Sequence, residues 1–379
     1  MIYADHNATS PLRPEAREAM LGALEIGANP SSVHQAGRNA RRALEMARVQ
    51  IGAAIGASAQ DIVFTSGGTE ANALALTGLA AQLKGPAKLL ISDLEHAAVR
   101  DHAFQTGIPV QKVPVLPDGM IDLDALQTTL DRFSDADGLP VLALMLANNE
   151  TGVIQPVAEA AALVRGAGGL VHCDAVQGLG KIPVNVLMLG VDYLALSAHK
   201  CGGPAGVGAL WVRPGAPLKP IQLGGGQEKS LRSGTENLAG IAGFGAAAEA
   251  SVRDLAKMAA LAPHRDAMEV RLMEEAGVTV FGGNAARLPN TSCFGWAGFR
   301  SETQVMAMDL AGICVSAGAA CSSGKVTRSG VLSAMGASDA LASASIRTSY
   351  GWSSVPGDFH ATAEAWLVSK ARANVLRSA

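Results

Sequence analysis

Lys200 and Asp174 each end an apolar, strand-like run of the chain. Lys200 is followed by Gly202-Gly203-Pro204, and a lysine held in such a setting can lose its proton and form a Schiff base with an aldehyde cofactor. Asp174 could pair with the protonated nitrogen of a pyridine ring, as pyridoxal phosphate requires. The plainer alternatives are a lysine that extends to solvent and an aspartate that caps the next turn. Taken one at a time, the two residues leave both alternatives open.

Residues 66–70 (SGGTE) follow the strand-like run 62–65 and open a helical pattern. Backbone N–H groups at such a helix start, including that of Gly68, together with the helix dipole, suit a phosphate. An ordinary capped turn fits equally well. A P-loop is excluded, because Gly318 and Gly324 are separated by five residues rather than four and Val326 stands where Ser or Thr is needed.

His96 and Asn149 follow two other strand-like runs. The imidazole of His96 could stack on an aromatic cofactor and move protons near neutral pH, or it could simply be a hydrogen-bonded residue at a helix start. Asn149 lies in the segment 148–152 (NNETG). In parallel sheets, ligands bind at the carboxyl ends of strands, so this position favours contact with cofactor or substrate over a plain loop.

Arg347 and Cys321 belong to the last third of the chain. Arg347 lies in the alternating, strand-like run 345–350, where a guanidinium could bind a substrate carboxylate through two hydrogen bonds or form a surface ion pair. Cys321 lies among small residues (315–324) without apolar periodicity, which predicts a flexible loop with a reactive thiol. For the four other cysteines, which lie in or beside apolar runs, we expect buried, inert thiols.

The elements that must position these residues alternate between strands and helices. Short β-rich runs and longer Ala/Leu-rich stretches follow one another from about residue 60 to 213, which predicts an α/β fold with a mainly parallel sheet covered on both faces. A long helical pattern at about 236–276 leads into a different rhythm of short strands and helices. We expect a large domain over 13–255 and a smaller α+β domain formed by 1–12 and 256–379.

Composition excludes several classes of protein. The 379 residues contain 30 Lys+Arg and 33 Asp+Glu, for a net charge of -3, which gives no basic field to hold nucleic acid. The 49% hydrophobic residues indicate a packed core rather than disorder. Neither a secretory signal nor an apolar run of about 18 residues is visible, so we expect a cytoplasmic protein with no membrane partner. The five cysteines lack C-x-x-C spacing, and we expect no metal site.

The chain resembles the cysteine desulfurases, which are pyridoxal-phosphate enzymes of the class V aminotransferase group. The order and spacing of its motifs carry this resemblance across nearly the whole chain: 3–9 (YADHNAT), 29–34 (NPSSVH), 64–70 (FTSGGTE), 148–152 (NNETG), 174–177 (DAVQ), 197–200 (SAHK), 232–237 (RSGTEN) and the Cys321 segment. The resemblance implies the aspartate-aminotransferase-like fold, fold type I. One departure is Ala205, which stands where many relatives carry lysine.

The resemblance also implies a role for each matching residue. Lys200 would form the Schiff base, and Asp174 would pair with the pyridine nitrogen. Gln177 would lie near the phenolic oxygen, His96 would stack on the ring, and Asn149 would lie beside the cofactor and the substrate carboxylate. The phosphate would be held by the following residues: Gly68 through its backbone, Thr69, Ser197, His199 and, from the partner subunit of a homodimer, the residue matching Thr235. Arg347 would bind the carboxylate of L-cysteine, and Cys321 would be the nucleophile.

The implied reaction converts L-cysteine to L-alanine and leaves the sulfur on Cys321 as a persulfide. Lys200 and His96 are the candidate bases, and a protein sulfur acceptor or iron–sulfur scaffold is the implied partner. A related lyase such as a selenocysteine lyase would share Lys200 and Asp174 without needing Cys321. A non-catalytic scaffold protein of the same fold would be expected to lack Lys200. A dinucleotide-dependent oxidoreductase is excluded, because the turn at 66–69 is not G-x-G-x-x-G.

Overall fold

The computed structural model describes residues 1–317 and 329–378. Cys321 and residues 318–324 of the small-residue segment therefore lie outside the described residues. The helices are α1 (Pro14–Ile26), α2 (Gln35–Ala54), α3 (Gly68–Gln82), α4 (Ala97–Gln105), α5 (Leu123–Asp131), α6 (Val157–Gly166), α7 (Val186–Leu189), α8 (Leu238–Arg253), α9 (Leu255–Ala259), α10 (Ala262–Ala276), α11 (Ser301–Leu310), α12 (Gly330–Ala334), α13 (Asp339–Ala342) and α14 (Pro356–Ser378).

Short strands and single-turn 3₁₀ helices alternate with these helices. The strands are β1 (Ile2–Tyr3), β2 (Ile62–Thr65), β3 (Ala87–Ser92), β4 (Val110–Val113), β5 (Leu139–Met145), β6 (Leu170–Asp174), β7 (Tyr193–Ser197), β8 (Gly208–Val212), β9 (Thr279–Val280), β10 (Thr291–Gly295), β11 (Ile313–Cys314), β12 (Ser316–Ala317) and β13 (Ser345–Ser349). The 3₁₀ turns are Ala59–Asp61, Ala198–Lys200 and Glu228–Ser230. No helix among the described residues is both long and apolar enough to traverse a bilayer.

Seven of the described strands form the large sheet, in the order β2-β8-β7-β6-β5-β3-β4. The contacts from β4 through β7 are all parallel, and β8 runs antiparallel to both of its neighbours, β7 and β2. The prediction of a mainly parallel sheet is therefore confirmed. All strands of this sheet except β8 run in the same direction. Five of these six strands end at, or shortly before, a residue or motif that the sequence singles out, so the sheet brings those residues to one edge.

The two faces of the large sheet bury alternate residues of the same strands. On β5, Leu142 and Leu144 belong to one apolar core, whereas Val141 and Ala143 belong to the other. This is why the central strands are apolar at successive positions rather than at every second one. The first core includes residues of α2, α5, α6 and α8, and the second includes residues of α3 and α4.

A third apolar core lies around a four-stranded antiparallel sheet with the order β12-β13-β10-β9. It includes residues of α10, α11 and α14 and also Ala4, while β1 pairs in parallel with β11. The division into 13–255 and 1–12 plus 256–379 stays a prediction. It is supported by Met258 and Leu261, which belong to this third core around the smaller sheet, whereas the α8 residues Ala247 and Ala248 belong to the first core, on the large sheet.

Two features differ from the expectations drawn from the sequence. The helical pattern at 236–276 is not one helix but three, α8 to α10, because Asp254 caps the end of α8 and Pro263 stands in the first turn of α10. Cys314 is only half-buried, because it lies in the two-residue strand β11, whose described sheet contains only one other strand. Cys173, Cys201 and Cys293 are buried free thiols, as expected.

Candidate active site

The polar residues singled out from the sequence line one cavity of about 370 Å³ at the carboxyl edge of the large sheet. Its lining is Asn7, Ala8, Gly68, Thr69, Asn72, His96, Ala97, Ala98, Met145, Ala147, Asn149, Asp174, Val176, Gln177, Ser197, His199, Lys200 and Arg347. Every predicted site residue is in this set except Thr235, which is exposed, and Cys321, which is not described. The sheet and β13 therefore bring together residues that are far apart in the sequence.

Asp174 is fixed at the end of β6 by two hydrogen bonds. Asn72 Nδ2 donates to Oδ2 at 2.8 Å, and the backbone N–H of Val176 donates to Oδ1 at 3.0 Å. A carboxylate only accepts, so Asn72 must turn its Oδ1 toward the other neighbour, His172 Nε2, at 2.8 Å. His172 is fully buried, and burial lowers its pKa to about 3. A neutral His172 that donates from Nε2 therefore holds Asn72, and Asn72 holds Asp174.

Lys200 ends a short 3₁₀ turn after β7 and reaches the N-terminal segment. Its Nζ donates to the backbone oxygens of Asn7 and Ala8, both at 2.7 Å. These two backbone acceptors hold the amine at the edge of the cavity. The expectation that Lys200 lies at a binding site rather than extending freely to solvent agrees with this geometry.

Asn7 connects several site residues, a function that the sequence did not reveal. Its backbone oxygen accepts from Gln177 Nε2 at 3.0 Å and from Lys200 Nζ. Its side-chain oxygen accepts from Lys181 Nζ at 2.8 Å, and its Nδ2 donates to Thr291 Oγ1 at 2.9 Å. Although Asn7 lies in a motif that supports the family resemblance, nothing local in the sequence shows which atoms it joins.

The two histidines of the cavity are both held by side-chain hydrogen bonds. His96 caps α4, since its Nδ1 accepts from the N–H of Ala98 at 3.0 Å, which leaves the ring hydrogen on Nε2. His96 therefore both caps α4 and lines the cavity. His199 Nδ1 lies 3.0 Å from Thr9 Oγ1. Burial and the nearby charges of Lys200 and Lys181 lower the pKa of His199 to about 4, so it is neutral at pH 7.

The N-terminus of α3 opens into the cavity beside the end of β7. A Cβ at Gly68 would lie 2.6 Å from Val176 Cγ2 and 3.4 Å from Ser197 Cβ, so only glycine allows this close approach. The first N–H groups of a helix have no intrahelical acceptors, and the helix dipole places partial positive charge there. Gly68, Thr69, Ser197 and His199, all in the lining, therefore form an environment suited to a phosphate.

Arg347 comes from β13 of the smaller sheet and is 2% exposed. Its Nη1 donates to the backbone oxygen of Asn149 at 2.9 Å, and its Nη2 donates to Asp5 Oδ1 at 2.7 Å. The Nε is buried with no hydrogen-bond partner in the described residues. Arg347 is therefore not the surface ion pair of the alternative interpretation, and it brings a guanidinium to a cavity otherwise built by the large sheet.

Two buried carboxyl groups lie beside the cavity, of which Glu95 was not singled out in the sequence and Glu150 was singled out only as a member of the segment 148–152. Burial raises the pKa of Glu95 to about 8; its Oε1 accepts from the N–H of Met145 at 2.9 Å. Burial likewise raises the pKa of Glu150 to about 7, and its Oε2 accepts from Ser329 Oγ at 2.6 Å. Their only sequence signal is adjacency, since Glu95 precedes His96 and Glu150 follows Asn149.

Three of the described thiols are poor nucleophiles. Burial raises the pKa of Cys201 to about 11 and those of Cys173 and Cys293 above the usual range. A thiol is a nucleophile as its thiolate, so these three sites are unsuited to attack. Within the described residues, no cluster of three or more His, Cys, Asp or Glu could hold a metal ion.

The donor set of the cavity fits pyridoxal phosphate. A fixed carboxylate for the ring nitrogen, a lysine for the aldehyde and a helix N-terminus for the phosphate all line a single cavity of about 370 Å³. Gln177 Nε2 and Lys200 Nζ both donate to the backbone oxygen of Asn7, which keeps the amide close to the lysine. No other group in this lining duplicates the carboxylate of Asp174 or the amine of Lys200, which gives the cofactor one orientation.

Comparison with known proteins agrees with this site. Residues 2–350 match the family model described as aminotransferase class-V. The chain is 44% identical over 342 residues to a cysteine desulfurase of Cereibacter sphaeroides, which covers 88% of this chain and 86% of that protein. It is 41% identical over 369 residues to the cysteine desulfurase IscS of Dictyoglomus turgidum, with 95% and 92% covered.

The fold agrees with a solved relative. The X-ray structure of a NifS-like protein from Rickettsia africae superposes with a TM-score of 0.89 at 33% identity, covering 98% of this chain and 99% of that one. The chain thus belongs to the class V aminotransferases, which are pyridoxal-phosphate enzymes of fold type I, and within them to the cysteine desulfurase family.

Proposed function

We propose that this protein is a cysteine desulfurase that converts L-cysteine to L-alanine and transfers the sulfur to Cys321 as a persulfide, for iron–sulfur cluster or other thio-cofactor assembly. The observation that carries the proposal is the convergence of Lys200, Asp174 and Arg347 on one cavity. Lysine and aspartate suit the cofactor, and a buried arginine suits the carboxylate of an amino acid.

The cofactor would be held by the groups that line the cavity. Asp174 would pair with the protonated pyridine nitrogen, and Gln177 would donate to the phenolic oxygen. His96 would lie against the ring. The phosphate would be bound by Gly68, Thr69, Ser197 and His199, together with Thr235 of the partner subunit.

Bound pyridoxal phosphate supplies an electron-withdrawing ring that acidifies the α-carbon of an amino acid attached to its aldehyde. Asp174, held as an acceptor by its hydrogen bonds from Asn72 and Val176, would accept the hydrogen bond of the protonated ring nitrogen. The amine of Lys200 would take the α-proton, and His96 is a second candidate base. Arg347 and Asn149 bind the substrate carboxylate and so fix which bond faces the base.

The sulfur step requires a thiolate nucleophile, which the family resemblance assigns to Cys321. Its thiolate attacks the substrate sulfur, a new S–S bond forms, and the C–S bond breaks with its electron pair left on the β-carbon. Protonation of the carbon skeleton gives alanine, so one cysteine and one thiol become one alanine and one persulfide. No external oxidant is needed, and the persulfide is then passed to a protein sulfur acceptor or an iron–sulfur scaffold.

The test is alanine production from L-cysteine by wild type and by Cys321→Ala, both loaded with cofactor and supplied with a thiol acceptor. Cys314→Ala, which removes a half-buried thiol elsewhere, is the matched control. Alanine from wild type and Cys314→Ala but not from Cys321→Ala is the expected result. Equal alanine from all three would instead favour the second candidate, a related lyase such as a selenocysteine lyase. That outcome would remove Cys321 as sulfur carrier.

We also propose that the active enzyme is a homodimer in which Thr235 reaches the phosphate of the partner's cofactor. Thr235 is exposed and does not line the cavity of its own subunit. Apolar side chains on α1 and α2 are also exposed, at 52% for Leu21, 63% for Leu24, 57% for Met46 and 53% for Val49, and apolar side chains exposed on neighbouring helices are candidates for an interaction surface.

The dimer proposal has a direct experiment. Light scattering should give twice the 38.6 kDa of one chain. Mixed dimers of Thr235→Ala with Lys200→Ala should contain one site with both residues intact, and should therefore show more activity than either variant alone. A monomeric mass, or mixed dimers no better than the parents, would contradict it. We further propose a cytoplasmic location, supported by the free thiols of Cys173, Cys201, Cys293 and Cys314.

A further inference from the structure

Lys181 is a buried lysine beside the cavity whose function the reaction above leaves unexplained. It is 4% exposed and lies between Gln177, which lines the cavity, and the N-terminal segment. A long flexible cation is rarely buried unless its nitrogen is satisfied by specific partners. The contacts of this nitrogen therefore indicate what the residue does.

The nitrogen of Lys181 has two neutral acceptors. Nζ donates to Asn7 Oδ1 at 2.8 Å and, in a short contact, to Gln177 Oε1. Among the described residues no carboxylate forms an ion pair with it. The charged and titratable groups around it, from the N-terminal segment, the turn after β7 and β13, are His6, Arg13, His199, Lys200, Cys201 and Arg347.

These contacts determine which way the amide of Gln177 faces. A lysine nitrogen that donates to Gln177 requires the oxygen of that amide, so the NH₂ must point the other way. One of its two hydrogens is used by the backbone oxygen of Asn7, at 3.0 Å. The second hydrogen remains for a group in the cavity that Gln177 lines. The contacts to Lys181 and to the Asn7 oxygen favour the same orientation of the amide, and without Lys181 only the contact to Asn7 would remain to oppose the turned-over amide.

Lys181 can donate both hydrogen bonds whether or not it is charged. Burial, together with the nearby charges of Lys200 and Arg347, holds the pKa of Lys181 well below its usual range. Charged or neutral, the nitrogen carries at least two hydrogens, which is enough for both Asn7 and Gln177.

We propose that Lys181 is a positioning residue: it locks the Gln177 amide so that an N–H, and not the carbonyl oxygen, faces the phenolic oxygen of bound pyridoxal phosphate. The inference rests on the proposed role of Gln177. An N–H donor stabilises the phenolic oxygen in its anionic form and so favours the state of the bound cofactor with fewer protons. Loss of that donor lets the protonated state persist to higher pH.

The readout is the midpoint of the pH-dependent change in the visible absorbance of the bound cofactor, measured without substrate on holoenzyme. Wild type is compared with Gln177→Leu, Lys181→Met and the double variant. Lys257→Met is the matched control, because its side chain is 83% exposed. We expect Gln177→Leu and Lys181→Met each to raise the midpoint by about 1 pH unit, as loss of one hydrogen bond to a charged group would, and Lys257→Met to leave it unchanged.

The double variant separates positioning from simple charge. If Lys181 acts through Gln177, the double variant has the midpoint of Gln177→Leu alone, because residues that act as a unit are not additive. If Lys181 acts only by its charge, the two shifts add, and the proposal is overturned. A wild-type midpoint for Lys181→Met with a shifted Gln177→Leu also overturns it. A wild-type midpoint for Gln177→Leu overturns both this inference and the proposed role of Gln177, while the alanine assay still decides the overall function.

A second variant keeps the test decisive if Lys181→Met does not fold. Lys181→Gln keeps a polar head that tolerates burial, but an amide can accept as well as donate, so it no longer dictates the orientation of Gln177. The midpoint of Lys181→Gln should again rise. A midpoint equal to that of wild type would show that the orientation of Gln177 does not depend on a donor-only side chain at position 181, and would overturn the proposal.

Discussion

Asp5 Oδ1 accepts a hydrogen bond from Arg347 Nη2 at 2.7 Å, and this contact holds the guanidinium at the cavity. The same oxygen of Asp5 accepts from Ser316 Oγ at 2.9 Å, and Arg347 Nη1 is bound by the backbone oxygen of Asn149. Because the guanidinium is buried, a nearby carboxylate offsets part of its desolvation. Arg347 is thus positioned before any substrate binds, at the meeting point of the N-terminal segment, the turn after β5 and β13.

Arg347→Ala should raise the KM for L-cysteine by about 10- to 100-fold while changing cofactor affinity less than about twofold. The lost contacts are charge-assisted hydrogen bonds to the substrate carboxylate, each of substantial strength. Steady-state alanine production and equilibrium dialysis of pyridoxal phosphate measure the two effects separately. Arg300→Ala, which removes an arginine that is 75% exposed, is the control. Parallel loss of substrate and cofactor affinity would refute a substrate-binding role.

Lys200→Ala should abolish both the visible absorbance of the cofactor-loaded protein and its turnover. The amine of Lys200 is the cavity group that can bind the cofactor aldehyde covalently, and its removal leaves the apolar core untouched. Absorbance spectra after incubation with pyridoxal phosphate provide the measurement, with Lys257→Ala as the exposed control. A wild type that stays colourless under the same conditions would contradict the cofactor assignment itself.

The residues that the sequence predicts are those at strand ends. Asp174, Lys200 and His96 could be found because each follows an apolar run, and parallel strands carry such positions to one edge. Arg347 could be found only through the family resemblance, since a strand-borne arginine alone is equally compatible with a surface ion pair.

The residues that the sequence missed are those that act on another residue from far along the chain. Asn72 lies 102 residues from Asp174, and Asn7 lies 174 residues from Lys181. Asn72 is one of several polar residues in the Ala/Leu-rich helix α3, and the hydrophobic pattern of α3 says nothing about a partner on β6. Such contacts depend on tertiary packing, which local composition and periodicity do not encode.

Asn72→Leu should lower kcat by roughly 10-fold or more, because Asp174 loses a hydrogen bond to its charged form, worth about 1.5–3 kcal/mol. The volume is nearly conserved, but His172 Nε2 is left buried without its acceptor, so a moderate drop in thermal stability should accompany the kinetic effect. Asn185→Ala is the contrasting variant: it removes the cap of α7 and should reduce stability without reducing kcat. An unchanged kcat in Asn72→Leu would show that Asp174 needs no support from α3.

Glu95→Gln should change how stability depends on pH. Burial raises the pKa of Glu95 to about 8 from its usual value of 4.5. The folded state therefore keeps a proton that the unfolded state loses, and wild type loses stability as pH rises from about 4.5 to 8. The amide has no such proton, so the variant should gain on wild type by roughly 3 to 4 kcal/mol between pH 5 and pH 8, at about 1.4 kcal/mol per pH unit. Urea unfolding at both pH values measures it, and a constant difference would contradict a neutral Glu95.

Arg48→Met should lower the free energy of unfolding by about 3 kcal/mol, because it leaves the Glu228 carboxylate buried without its partner. Arg48 Nη1 lies 2.7 Å from Glu228 Oε2, with the two side chains 3% and 2% exposed. Glu228 also begins the turn Glu228–Ser230, whose three residues all have positive φ, from 44° to 64°. That costly conformation persists because Arg48 and the N–H of Phe64 hold the Glu228 carboxylate.

The same helix offers the control for this buried pair. Arg41→Met removes an ion pair to Glu45 whose side chains are 55% and 42% exposed, and it should cost less than about 1 kcal/mol. The double variant Arg48→Met/Glu228→Gln should regain part of the loss, since no uncompensated charge remains. Urea unfolding of all four holoenzymes, including wild type, gives the comparison. If Arg48→Met and Arg41→Met prove equally mild, the pair does not stabilise the strained turn that precedes Thr235.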